Sequence, residues 1–329
     1  MSTSTRVAAK NRMGIGSLAT GTYAMLGVLV LFVILPHFIP GYYVGVLTRV
    51  IIFAIFAIGL NLLMGYTGLP SLGQGAYFGT GAFGVGVMTV TYNVPHPIGM
   101  VGAVVIAGLM AAVYGLVALR ARGAYFLLIT MALTLSTWAI AFTWRSLTGG
   151  EDGFPGVTRP GFLPWSLTSE VNYYYFTLFF LVAAVVAFVL IVRSPFGLAL
   201  QGIRENEQRM RSLGYNTWLY MYIAFIMAGV FGGVAGVLNA YSVGAISPEW
   251  TNILPSAEVL LMVILGGPGT IIGPLVGAGA IIGASEILNI HFPERWIMFL
   301  GGGYIVFMLF ARDGMVGLVR RLLRRWSKR

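Results

Sequence analysis

The chain has 329 residues, of which 58% are hydrophobic and only 9% charged, against about 25% charged in an ordinary soluble domain. That composition excludes a soluble globular protein, and the absence of cysteine excludes disulfides, thiolate metal sites and cysteine nucleophiles. The net charge of +10 does not indicate nucleic-acid binding. The basic residues stand at the ends of apolar runs and in the two tails, where they report membrane orientation.

A polar segment over 1–21, with Arg6, Lys10 and Arg12, comes first and is expected to stay in the cytoplasm. The apolar run after it has no small-residue cleavage site and is read as a retained span. Ten spans are predicted, at about 22–39, 43–64, 71–91, 98–119, 124–142, 171–192, 217–240, 257–269, 271–290 and 296–311. Most approach the roughly 20 residues that cross about 30 Å of hydrocarbon. The fold class is therefore an all-α integral membrane protein, a polytopic bundle of about ten transmembrane helices, some of them broken. Its transmembrane domain covers 22–311. Arg320, Arg321, Arg324, Arg325, Lys328 and Arg329 make 312–329 a basic cytoplasmic tail, so both termini lie inside. Threading from that start puts Arg120, Arg122 and the connection 193–216 inside. The loop 143–170, with Glu151, Asp152 and Glu170, falls outside.

Two segments interrupt the plain apolar pattern: MGYTGLPSLGQGAYFGTGAFG at 64–84 and LGGPGTIIGPLVGAGAIIG at 265–283. Glycine and proline at this density break a helix, and irregular backbone at membrane depth survives only where protein buries it or water lines it. The break residues are Gly65, Gly68, Pro70 and Gly73 in the first, and Gly266, Gly267, Pro268, Gly269 and Gly273 in the second. An offset of 200 aligns Gly73 with Gly273 and Gly79 with Gly279, a weak internal repeat that would run parallel in this topology. Small residues at helical spacing, such as Gly229, Gly232 and Gly236, predict close helix packing. An interrupted helix presents unpaired N–H groups that suit a carboxylate. Tyr66, Thr67, Ser71 and Gln74 are therefore candidates for a substrate path, with Glu258 in the first turn of the eighth span.

The sequence offers no enzyme chemistry. Lys10 and Lys328 are the two lysines and neither follows a P-loop run, and His37, His96 and His291 are isolated, so no metal site or bound cofactor is expected. The connection 193–216, RSPFGLALQGIRENEQRMRSLGYN, is different in kind. Ser194 can cap, Pro195 suits the first helical position and Gly214 the left-handed residue after the end. Phe196, Leu200, Ile203, Met210 and Leu213 recur near a 3.6 period. An amphipathic cytoplasmic helix is predicted, and its mixed charge suits a protein groove better than a lipid surface.

Four segments carry a resemblance to a known family: NLLMGYTGLPSLGQGAYFGTGAF, LTGGEDGFPGV, SPFGLALQGIRENEQRMRSLGYN and SAEVLLMVILGGPGTIIGPLVGA. Across most of its length the chain resembles the LivM-type permeases of bacterial branched-chain amino acid ABC importers. The resemblance implies a multi-pass subunit of the bacterial inner membrane that works by alternating access. It also implies as partners a second homologous permease, two cytoplasmic ATPase subunits that carry ATP and Mg, and a periplasmic substrate-binding protein facing 143–170. It makes Arg204, Glu205, Asn206, Arg209, Leu213 and Gly214 the candidates for coupling to the ATPase. Where family members often read GQVSLGHAAF, this chain has GLPSLGQGAYF, with Pro70 and Gln74, and related permeases are similar to importers of urea, short amides and aromatic acids. A stand-alone carrier or channel is the competing class.

Overall fold

The computed structural model describes residues 38–161 and 167–295, with Phe32, Pro36 and short stretches at 298–299, 301–303 and 314–318. The predicted first and tenth spans and both tails fall mostly or wholly outside these residues.

The membrane helices follow the apolar runs. Helix α1 spans Gly41–Asn61 and continues through a wider π turn, Leu62–Thr67. Helix α2 spans Gln74–Gly86 with a π continuation, Val87–Thr91. Helices α3, His96–Ala118, and α4, Ala124–Thr143, come next, and α5, Glu170–Arg193, closes the first half. Two short helices, α6 (Pro195–Glu205) and α7 (Glu207–Ser212), precede α8, Thr217–Val243. The last described pair is α9, Ile253–Gly266, and α10, Gly273–His291. Six of the described helices are long and apolar enough to cross a membrane. Helix α9 has 14 residues, about 21 Å of rise, and is too short to span alone.

Punctuation matches the physics of helix ends. Pro97 and Pro195 sit in first turns, where a missing N–H costs nothing. Gly68 and Gly244 take left-handed conformations just past their helices.

Burial separates the centre from the rim. In its most apolar stretch α1 is 83% buried and α8 67%, against 28% for α4. Glycine brings the central helices together: an ideal Cβ on Gly59 of α1 would lie 2.8 Å from the Ala228 carbonyl of α8, and one on Gly81 would lie 2.8 Å from Gly233 Cα. Helix α10 runs antiparallel to α1. Tyr42 hydrogen-bonds Glu286, Val50 meets Gly279, and Asn61 bonds the Thr270 carbonyl.

The connection 193–216 differs from its prediction. It forms two helices, because Asn206 adopts an extended conformation and its side chain caps the second through the Arg209 N–H at 2.9 Å. An Asn at that position competes with the helical backbone and starts a new helix. Ser194 caps α6 through Gly197 N at 3.3 Å, and Gly214 has φ +89°, as predicted. On the opposite surface the loop 143–170 contributes strand β1, Phe154–Pro155, which pairs antiparallel with β2, Ala245–Ile246. Arg159 fastens this loop by bonding Glu170 at 2.8 Å and lying 4.7 Å over the Tyr173 ring.

Candidate functional site

The two broken segments meet. The first is carried by the π turn, which ends at Gly68 with φ +76°. Leu69 N donates back to Leu63 O at 3.0 Å and the Thr67 hydroxyl bonds the same carbonyl. Helix α2 then starts from a segment closed by hydroxyl groups. Gly73 N donates to Ser71 Oγ at 3.0 Å, Leu72 N to Thr130 Oγ1 at 3.1 Å, and Gly75 N to Ser256 Oγ at 2.7 Å. Thr134 returns a bond to the Leu72 carbonyl at 2.9 Å.

The second break follows α9. Gly267 and Gly269 have φ of +110° and +77°, which L side chains rarely adopt. Thr270 donates to Gly267 O at 2.8 Å and accepts from Gly273 N at 3.0 Å. Asn61, at the end of α1 and fully buried, ties this break to the first. Its Nδ2 donates to Thr270 O at 2.9 Å and its Oδ1 accepts from Gly269 N at 2.8 Å. An ideal Cβ on Gly65 would lie 2.9 Å from Gly269 Cα, so the two backbones approach as closely as glycine allows.

The α6–α7 helix pair reaches this seam through Arg204, near the end of α6. Its guanidinium donates to the Gly65 carbonyl, and its methylenes pack against Gly68, whose ideal Cβ would lie 3.1 Å from Arg204 Cγ. Arg204 therefore points into the paired breaks. Glu205, Arg209, Leu213 and Gly214 are exposed, and Asn206 is occupied as the α7 cap. The pair is braced by Glu207, which accepts from Arg211 at 2.6 Å, Arg122 at 3.0 Å and Thr217 at 3.1 Å.

The substrate-path candidates divide. Tyr66, Thr67, Ser71 and Gln74 are all buried along the first break. Tyr66 stands edge-on to Phe188, with ring centroids 5.5 Å apart. Both amide atoms of Gln74 are buried without a hydrogen-bond partner among the described residues. Glu258 does not join them and faces a separate cavity of about 80 Å³ between α1, α9 and α10. A larger cavity of about 690 Å³ between α2, α3 and α4 is lined by Phe83, Met88, Ile106 and Trp144, among others, with no charged side chain. No cluster of three metal-ligating residues occurs among the described residues.

Sequence reasoning missed Asn61 and the hydroxyls of Thr130, Thr134 and Ser256. A signal was present, since an amide near the end of an otherwise apolar span is costly unless it is bonded.

Residues 42–309 match the family described as branched-chain amino acid transport system / permease component. The chain is 29% identical to the high-affinity branched-chain amino acid transport system permease protein LivM of Escherichia coli (strain K12), over 94% of this chain and 78% of that protein. It is 23% identical to a probable LivM of Methanocaldococcus jannaschii, over 73% of this chain and 79% of that one. It is also 26% identical to the autoinducer 2 import system permease protein LsrC of Salmonella typhimurium (strain LT2), over 92% of this chain and 88% of that protein. No solved structure matches.

Proposed function

The chain belongs to the branched-chain amino acid transport system permease component family, and from that premise we propose that it is the membrane subunit of an ATP-driven importer of branched-chain amino acids. In this reading two cytoplasmic ATPase subunits, with ATP and Mg, dock on the exposed face of α6 and α7. A second homologous permease completes the path in the inner membrane, and a periplasmic binding protein delivers solute to the loop 143–170.

The observation that carries the reading is the bond from Arg204 to the Gly65 carbonyl. A docking helix that merely rested on a motor would need no such reach. Here a movement of α6 pulls on the π turn of α1, and Asn61 passes it to the second break. The breaks are the natural hinges, because glycines with left-handed φ absorb backbone rotation that other residues resist. The partnerless amide of Gln74 supports a second conformation, since a buried amide without a bond costs about 1–3 kcal/mol. A rearranged α2 or a passing polar solute would recover that cost.

The likeness to LsrC favours a second reading, in which the same machine imports a different small polar solute. ATP-driven uptake of labelled leucine decides, in proteoliposomes holding the chain with its ATPases, second permease and binding protein. Uptake that requires ATP supports the amino acid reading. No leucine uptake with intact binding-protein-stimulated ATPase favours the other solute, and transport by the chain alone overturns the importer.

A further inference from the structure

Within the described membrane helices the charged residues other than the terminal residues of a helix are Arg49, Glu258 and Glu286. They come from α1, α9 and α10, far apart in sequence, and all three line one cavity. Ser285 and Asn289 complete its polar wall over an apolar floor that includes Ile281, and its volume is about 80 Å³. That is room for several waters at roughly 10–15 Å³ each. Charges at membrane depth are expensive and as a rule face a cavity or one another, so their convergence needs a reason.

A closed ion pair is not the arrangement found among the described residues. Among the described residues neither Arg49 nor Glu258 forms an ion pair. The Arg49 guanidinium lies 5.7 Å from the Phe53 ring centroid, and Glu286 accepts from the Tyr42 hydroxyl. One cation and two carboxylates thus stand around an open space. A simple anion would be repelled by the carboxylates and a simple amine by Arg49. A zwitterion answers both signs at once. The site also lies away from the coupling helices, because Arg49 is 16 residues, or about 24 Å of helix, from Gly65.

We propose that this cavity is a head-group site for an α-amino acid in the outer half of the permease. Arg49 takes the carboxylate, and Glu258, with Glu286, takes the ammonium group. The inference rests on the amino acid reading above and adds to it where the solute is recognised and by which atoms. A cavity of this size admits the head group and leaves the side chain outside, so it selects α-amino acids as a class and does not distinguish leucine from valine.

The test uses the assembled complex in proteoliposomes without binding protein. Because the chain has no cysteine, Ser285→Cys supplies one reactive thiol in this subunit, and the other subunits are used as cysteine-free variants. Its labelling by a membrane-impermeant thiol reagent is timed with leucine, with 4-methylpentanoate, which lacks the ammonium group, and with 3-methylbutylamine, which lacks the carboxylate. The expected result is labelling at least threefold slower with leucine and unchanged by either analogue. Protection is expected to vanish when Arg49→Gln or Glu258→Gln is added. If the glutamine variants fail to assemble, Arg49→Lys and Glu258→Asp carry the same comparison with protection reduced. Equal protection by an analogue, no protection by leucine, or a thiol that never reacts overturns the site. Leucine uptake by the wild-type complex, measured in parallel proteoliposomes supplied with ATP and binding protein, separates the outcomes: uptake there without protection here rejects this cavity alone, and no uptake there rejects the amino acid reading beneath it.

Discussion

Helix α1 with its π turn meets two guanidiniums, and the two are treated differently. At the π turn Arg204 of α6 bonds the Gly65 carbonyl and packs against Gly68 and Gly269. Further toward the start of the helix, Arg49 of α1 itself has no ion pair among the described residues and faces two carboxylates across a cavity. Arg204 donates to backbone at the glycine break while the residue as a whole stays exposed. Arg49 is held near opposite charge but not closed upon it. The first arginine is engaged by backbone and the second faces open space, and the coupling and recognition proposed above rest on that difference.

The comparison breaks most completely at Gly65. A Cβ there would collide with Asn61 Oδ1 and the Gly269 backbone, so Gly65→Ala is expected to cost about 3 kcal/mol or more. Loss of folded complex in size-exclusion chromatography is the expected outcome, and wild-type thermal stability would reject the seam. Next in size is a reversible arrest. An ideal Cβ on Gly68 lies 3.7 Å from Arg204 Cβ, within the range of about 3.5–4.5 Å for a disulfide. The Gly68→Cys/Arg204→Cys pair should cross-link on oxidation and stop whatever cycling the reduced pair retains, until reductant is added. Gly68→Cys alone controls for strain at its positive φ.

Arg204→Ala removes one charge-assisted bond, worth about 1.5–3 kcal/mol. Uptake is expected to fall at least tenfold while binding-protein-stimulated ATPase persists, read as more ATP consumed per solute moved. A smaller effect of opposite sign is expected at Gln74. Replacing its partnerless amide in Gln74→Leu should raise the thermal midpoint, by up to about 1–3 kcal/mol of stability, and slow uptake; a lowered midpoint would mean that the amide is bonded in the membrane. Arg122→Ala should do least. Glu207 keeps Arg211 and Thr217, and an exposed ion pair is worth about 0–1 kcal/mol, so melting and uptake should stay near wild type.

Much of the junction at Arg204 was legible, because its signals are local. Ser194, Pro195 and Gly214 mark helix ends by their own stereochemistry, and the glycine clusters mark the breaks. The split of 193–216 at Asn206 turned on one residue that both continues an amphipathic period and caps a helix. Periodicity suggested continuity, and the cap prevailed because its bond to Arg209 N satisfies a donor that a first turn leaves open. Arg204 belongs to the same stretch as Glu205 and Arg209 and is exposed as they are, yet its guanidinium bonds the glycine break. Nothing in the spacing distinguishes these neighbours; the position of Gly65 does.

The sequence alone determined the membrane class, the course of the described helices within a few residues and the places where the backbone leaves helical geometry. Each follows from short-range physics, namely the cost of apolar surface in water and of glycine and proline in a helix. Only the tertiary structure decided that residues 61, 65, 204 and 269 form one junction and that residues 49, 258 and 286 share one cavity. These meetings join positions separated by up to 237 residues. They depend on how glycine faces let the helices pack, which no local pattern encodes.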